Sequence, residues 1–152
     1  MSPAHTHFDV HESMREQLEE ICRRYQVADL YAFGSRAAEF SAKLAGKPFA
    51  TSRAGSDLDI GVRSEGRHSW SAAELVSLTI ELEDLFHVPR VDLVVLPEAE
   101  PFLALDIIRS ELLYTVDPDE QARYELFVLR RAGDLLPFKK ERMRMVLKEG
   151  AL

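Results

Sequence analysis

The chain has 152 residues, of which 46% are apolar and 30% charged, and its formal net charge is −7. That length suits one domain with its own core, and the acidic balance argues against general nucleic-acid binding, which draws affinity from phosphate neutralisation by cations. No apolar run approaches the roughly 20 residues of a membrane span, no secretory signal pattern opens the chain, and Cys22 as the only cysteine excludes an intrachain disulfide, so a cytoplasmic location is expected.

Residues 1–10 are polar, lack an apolar period and read as a flexible tail. The alternating His5, His7 and His11 on such a tail would be poorly preorganised for a metal. From Glu12 to Gln26 the residues Met14, Leu18, Ile21, Cys22 and Tyr25 form one helical stripe. Cys22 lies within it and reads as a small core residue. Ala28 to Phe33 reads as a strand ending at Gly34. Ser35 can cap a helix over Arg36 to Leu44, and the Gly- and Pro-containing segment after it reads as a loop. Lys43, Lys47 and Arg53 fall in or beside that loop.

Ser56 to Val62 alternates strictly. Leu58, Ile60 and Val62 point one way, and Asp57, Asp59 and Gly61 the other. Trp70 to Phe86 is helical, with Leu75, Leu78, Leu82, Leu85 and Phe86 on its stripe and Trp70 packing at its start. His87 falls where that helix ends before Pro89. Val91 to Leu96 is an apolar strand interrupted by Asp92. Pro101 opens a helix with Leu105, Ile108 and Leu112 as core candidates, and Leu112 to Thr115 is a short strand. Asp117-Pro118 reads as an N-cap and first helical position. The last helix runs from Asp119 to Ala132, Pro137 should kink or break it, and a final piece continues to Lys148. The expected architecture is a single α/β (α+β) domain over 1–152, a short mixed sheet flanked by helices, with 117–152 as a C-terminal helical segment. From Arg130 to Gly150 there are seven Lys/Arg against three Asp/Glu, so a basic tail follows an acidic body.

The chemistry-bearing residues are Gly34-Ser35, Asp57-Leu58-Asp59 and Asp92. Side chains two apart on a strand share a face, so Asp57 and Asp59 can hold neighbouring metal positions, with Asp92 on a nearby strand closing the cluster. Three such carboxylates repel one another, and divalent cations relieve that repulsion. Oxygen ligands suit Mg²⁺ or Mn²⁺ together with substrate phosphates. Gly34 lets the backbone approach a phosphate, and Ser35 offers a hydroxyl at a helix N-terminus. The set matches two-metal phosphoryl chemistry.

These residues resemble the Gly-Ser…Asp-x-Asp…Asp signature of the DNA polymerase beta-type nucleotidyltransferase superfamily, and the small size resembles its minimal nucleotidyltransferase (MNT) branch. The strand at Leu112-Leu113-Tyr114, followed by Asp117-Pro118 and a charged helix, is similar to MNT antitoxins, which pair with HEPN-type ribonuclease toxins. The resemblance implies a polymerase beta-like fold and transfer of AMP from ATP to a tyrosine of the toxin. It implies that Gly34 and Ser35 bind the triphosphate, with Arg36 a further phosphate contact. Asp57 and Asp59 would bind two Mg²⁺ ions, and Asp92 would bind the catalytic one and help activate the acceptor hydroxyl. One departure is the spacing between Gly-Ser and Asp-x-Asp, about twenty residues where the family commonly has about ten.

Two other functions fit the same residues. One is a nucleotidyltransferase for a small hydroxylated acceptor such as an aminoglycoside, although the chain leaves little length for an acceptor pocket. The other is a non-catalytic antitoxin that neutralises its partner by binding through the basic C-terminal segment and Met143, Val146 and Leu147.

Overall fold

The computed structural model describes residues 7–49 and 57–150, with side chains described over 14–49 and 57–148. Helix α1 (His7–Arg24) leads into strand β1 (Val27–Phe33), a 3-10 turn (Gly34–Arg36) and helix α2 (Ala37–Leu44). Strand β2 (Leu58–Ser64), helix α3 (Ala72–Phe86) and strand β3 (Val91–Val95) follow, and then helix α4 (Pro101–Ile108), strand β4 (Glu111–Thr115) and helix α5 (Pro118–Gly150). The expected alternation of helices and strands is therefore the observed one. The sheet order is β3-β2-β1-β4, with β2 and β3 parallel and β1 antiparallel to both β2 and β4.

Each face of the sheet carries its own apolar layer. Leu30, Leu58, Ile60, Val62 and Val91 pack with Leu18, Ile21 and Cys22 of α1, Phe40 and Leu44 of α2, and Leu78, Leu82 and Phe86 of α3. Phe40 and Phe86 meet edge to face, with ring centroids 5.2 Å apart. On the opposite face Tyr31 packs with Leu96, with Ala104, Ile107 and Ile108 of α4, and with Val128 of α5. Period-two alternation assigns each strand residue to one layer or the other. Gly61 belongs to the second layer, and a Cβ on it would lie 2.7 Å from Ile107 Cγ2, so the missing side chain is what lets α4 sit on the sheet.

Local signals explain most boundaries. Gln26 adopts φ 54° and ends α1. Ser71 and Glu74 form a reciprocal capping box at the start of α3, which stabilises a helix start by satisfying two otherwise orphaned N–H groups. Asp117 Oδ1 accepts from the N–H groups of Asp119 and Glu120 at the head of α5. His87, at φ 55°, caps the end of α3 as expected, and Trp70 packs at its beginning, donating to Tyr25 O at 2.6 Å.

Three expectations are corrected. Helix α1 begins at His7, so part of the expected tail is helical, and His7 and His11 lie on α1. His5 lies outside the described residues, as do Thr51, Ser52, Arg53, Gly55 and Ser56 of the long loop. Leu112 is 39% exposed and Leu113 is the buried residue, because β4 is an edge strand and its alternation turns Leu113 toward the helices of the first layer. Pro137 does not divide α5, which is assigned helical throughout. An interior proline costs about 3 kcal/mol or more. Helix α4 meets α5 on both sides of it, through Val128 packed with Ala104, Ile107 and Ile108 before it and through Lys139 Nζ, 3.9 Å from the Phe102 ring centroid, after it.

A polar network missed by the periodicity analysis is buried between the sheet and α5. Asp29 of β1 is fully buried and accepts from Arg63 Nε at 2.6 Å and Thr115 Oγ1 at 2.8 Å. The Arg63 guanidinium lies 5.0 Å from the Tyr124 ring centroid on α5. Beside it, Tyr31 OH donates to Glu125 Oε1 at 2.9 Å and accepts from Gln121 Nε2 at 2.7 Å. A charge buried this deeply is tolerable only while paired. Arg63→Ala is therefore expected to lower unfolding free energy by about 3 kcal/mol, the scale of orphaning one member of a buried pair, as read from urea denaturation. Thr115→Val, which removes a single neutral donor, should cost about 1 kcal/mol.

Candidate active site

The candidate site lies where β1 ends beside the starts of β2 and β3. Phe33, the last residue of β1, is paired with Asp59 of β2, and Asp59 is in turn paired with Asp92 of β3. The chain leaves β1 through Gly34 at φ +75°, and a Cβ at that position would collide with Asp59 Oδ2. Glycine is thus required twice, by a left-handed backbone and by a carboxylate directly against it. Gly34 and Ser35 are exposed, which leaves the turn open to a ligand on the side where Asp59 stands.

Asp59 carries the electrostatic load. Its carboxyl is held above the ordinary carboxylate range, first by burial and then by the negative charges of Asp92 and Asp57. Arg90, just before β3, partly offsets that charge: its Nη2 lies 3.0 Å from Asp92 Oδ1 and its Nε 3.9 Å from Asp57 Oδ2. Among the described residues, no group of three or more His, Cys, Asp or Glu side chains is gathered closely enough to hold a metal ion as the side chains stand. The carboxylates share one edge of the sheet, and the cation lying between two of them is a guanidinium.

The remaining expected residues fall as follows. Ser35 does not cap α2. It lies inside the 3-10 turn, and Arg36 holds the N-cap position of α2 with no side-chain capping bond. The tight turn forced by Gly34 delays the helix start by one residue. Arg36 is buried, and its guanidinium grips Glu39 through Nη2–Oε2 at 2.8 Å and Nε–Oε1 at 3.2 Å while lying 5.0 Å from the Phe40 ring centroid. Glu39 is held below its usual range, chiefly by Arg36. Lys43 belongs to α2, pairs with Glu39 at 3.1 Å and sits over Phe40, so it is not a loop cation. Lys47 is exposed. Cys22 is buried, as expected of a core residue, and burial pushes its thiol pKa well up. Arg90 was not singled out from the sequence, although it stands two residues before Asp92, the spacing at which strand side chains share a face.

The four-stranded mixed sheet, with three helices on one face and two on the other, is a polymerase beta-like nucleotidyltransferase fold. The family model described as Polymerase beta, Nucleotidyltransferase matches residues 16–119, and the chain belongs to that family. It is a nucleotidyltransferase by that membership. No curated protein matches by sequence. Among solved structures, the chain is similar to a mutated MntA-HpeT toxin–antitoxin complex, at 15% identity and TM-score 0.66 over 88% of this chain and 98% of the other. It is similar to a toxin–antitoxin structure with AMP-PNP, at 17% identity and TM-score 0.66 over 88% and 98%. A third match is a tri-AMPylated Shewanella oneidensis HEPN toxin in complex with MNT antitoxin, at 16% identity and TM-score 0.64 over 90% and 98%. At these identities the likeness is one of fold. Among the described residues no helix is long and apolar enough to cross a membrane.

The raised pKa of Asp59 has a consequence for stability. A carboxyl whose folded pKa exceeds its unfolded value makes the native state bind more protons than the unfolded state, so its contribution to stability falls as pH rises through that window. Asp59→Asn removes the penalty. The variant is expected to be more stable than the wild type at neutral pH, with the advantage shrinking below the carboxylate range, as followed by urea denaturation at both pH values.

Proposed function

We propose that the chain is the antitoxin of a toxin–antitoxin pair and transfers AMP from ATP to a tyrosine hydroxyl of a HEPN-type toxin. The observation that carries this reading is the register Phe33–Asp59–Asp92, which sets an open Gly-Ser turn against two carboxylates on adjacent strands. Family membership supports nucleotidyl transfer, and the fold shared with toxin–antitoxin structures, one of them holding an AMPylated toxin, supports the acceptor.

The residues fit a divalent cation by donor chemistry. They are three carboxylates on or just before neighbouring strands, and Asp59 is strained first by burial and then by the like charge of Asp92 and Asp57, the part that a bound cation relieves. Asp57, Asp59 and Asp92 would hold Mg²⁺, or Mn²⁺ in its place, after side-chain reorientation and with substrate phosphates completing the shell. When bound, the metal supplies charge stabilisation to the phosphates and lowers the pKa of the acceptor hydroxyl. Gly34 and Ser35 receive the triphosphate through backbone N–H groups and the Ser35 hydroxyl. Arg36 acts from beneath, holding the turn through Glu39 and Phe40. The acceptor oxygen bonds to the α-phosphorus, the bond from that phosphorus to the β-phosphate oxygen breaks, and pyrophosphate leaves. Asp92 takes the hydroxyl proton.

A protein acceptor is favoured by α5. Its apolar stripe begins as core, with Val128 and Ala132 buried, and runs on through Met143 and Leu147, which are 58% and 69% exposed. With Phe102 and Leu105 of α4 it lines a groove of about 700 Å³, flanked by Arg109, Lys139, Lys140 and Arg144. Two copies meeting face to face along this groove would oppose these cations, so a partner with acidic flanks fits better than self-pairing.

With α-labelled ATP, Mg²⁺ and a lysate of the source cells, the wild type is expected to label a protein band. Asp57→Asn and Asp59→Asn should each lower labelling by about a hundredfold or more, the scale of removing a charge-stabilising group. Full labelling by both variants would overturn the metal assignment. Met143→Glu with Leu147→Glu should raise KM for the labelled protein about tenfold, a typical cost for central interface residues. Affinity for ATP should stay unchanged, and an unaltered KM would remove α5 from the docking surface.

A further inference from the structure

We infer that Arg90 is the resident counter-cation of the metal-free site and must withdraw before a divalent ion can bind, so that it sets the metal concentration at which the enzyme switches on. The inference rests on the metal reading given above. Its own ground is the placement of the Arg90 guanidinium, 3.0 Å from Asp92 and 3.9 Å from Asp57. Those are two of the three carboxylates on which a cation would have to act.

The backbone at Arg90 is fixed on both sides. Its carbonyl accepts at 3.1 Å from the N–H of Leu58, the residue between Asp57 and Asp59. The next amide, Val91 N, donates to Glu83 Oε2 of α3 at 2.9 Å. The side chain beyond this anchored Cα is 67% exposed. A guanidinium so placed can pivot into solvent without disturbing the sheet. While in place it occupies one oxygen of Asp92 and partly screens the charge of Asp57. No cation pairs with Asp59 among the described residues, although it stands opposite Asp92 in the strand register. The guanidinium therefore relieves the cluster only in part, which keeps the site receptive to a divalent ion and makes displacement an exchange rather than a simple loss. Arginine suits this role because its planar fork reaches two carboxylates at once and its charge is permanent.

The test is a titration of Mn²⁺ alone, without nucleotide, followed by electron paramagnetic resonance of the free ion. Arg90→Gln is expected to bind Mn²⁺ about two- to fivefold more tightly than the wild type, the range of a partly exposed ion pair converted to affinity. Arg90→Lys, which keeps the competing charge, should stay within about twofold of the wild type. If Asp59→Asn loses Mn²⁺ while Arg90→Gln and the wild type bind it equally, the metal site stands and the counter-cation role is overturned. Equal tightening by Arg90→Lys and Arg90→Gln would also overturn it, since charge would then not be the cause. Absence of Mn²⁺ binding in every variant and the wild type would sink the metal reading together with this inference.

Discussion

Everything at the candidate site depends on β2 lying in one register between β1 and β3. Asp59 is opposite Phe33 on one side and Asp92 on the other, so one residue of β2 is tied both to the turn at Gly34 and to the third carboxylate. Because side chains alternate along a strand, a one-residue slip would send Asp59 into the first apolar layer and bring Leu58 to the turn. That slip is opposed by more than hydrogen bonds. Leu58, Ile60 and Val62 are all fully buried, and Gly61 stands where a Cβ would run into Ile107. The apolar core and the carboxylate edge are therefore specified by the same alternation.

The opposite end of the sheet is held by different means. Asp29, Arg63 and Thr115 join β1, β2 and β4 across their second face, and Tyr31, Gln121 and Glu125 continue the polar contact onto α5. A buried ion pair is weak evidence of added stability, since desolvation consumes much of its attraction. Its stronger consequence is intolerance of mispairing. Any register that separated Asp29 from Arg63 would leave a charge buried and alone. Two kinds of constraint thus converge on β1. Apolar alternation sets which face is which, and the charge pair penalises displacement along the strand.

Much of this was legible from spacing. The alternation of Ser56 to Val62 placed Asp57, Asp59 and Gly61 on one face, and the carboxylate in the apolar run around Asp92 stood out because such a group must find a cation, a donor or water. What spacing did not reveal depends on three-dimensional neighbours. Ser35 resembles an N-cap, but Gly34 at positive φ throws the chain into a 3-10 turn and moves the cap to Arg36. Arg36 resembles a phosphate ligand by its place beside Gly-Ser, yet Glu39 and Phe40 lie within reach of its guanidinium and hold it inside the fold. The i,i+3 and i,i+4 spacing of Arg36, Glu39 and Lys43 was readable as a helical ion-pair set. Pro137 was weighed by its local cost alone, while α5 also meets α4 on either side of it.

A carboxylate-lined sheet end sits poorly with a stable one. A sheet end optimised for stability would not bring Asp57, Asp59 and Asp92 together, because each added charge raises the cost of ionising the next. The protein retains the cluster and limits its cost with local devices. Arg90 shields two carboxylates from outside, where its own desolvation is small. Gly34 places no side chain against Asp59, and the glycine backbone leaves the turn uncovered beside it. Full neutralisation would require a second cation, this one held against Asp59, and that cation would compete with any ligand. Leaving Asp59 strained is thus the condition under which the edge stays able to accept positive charge from solution.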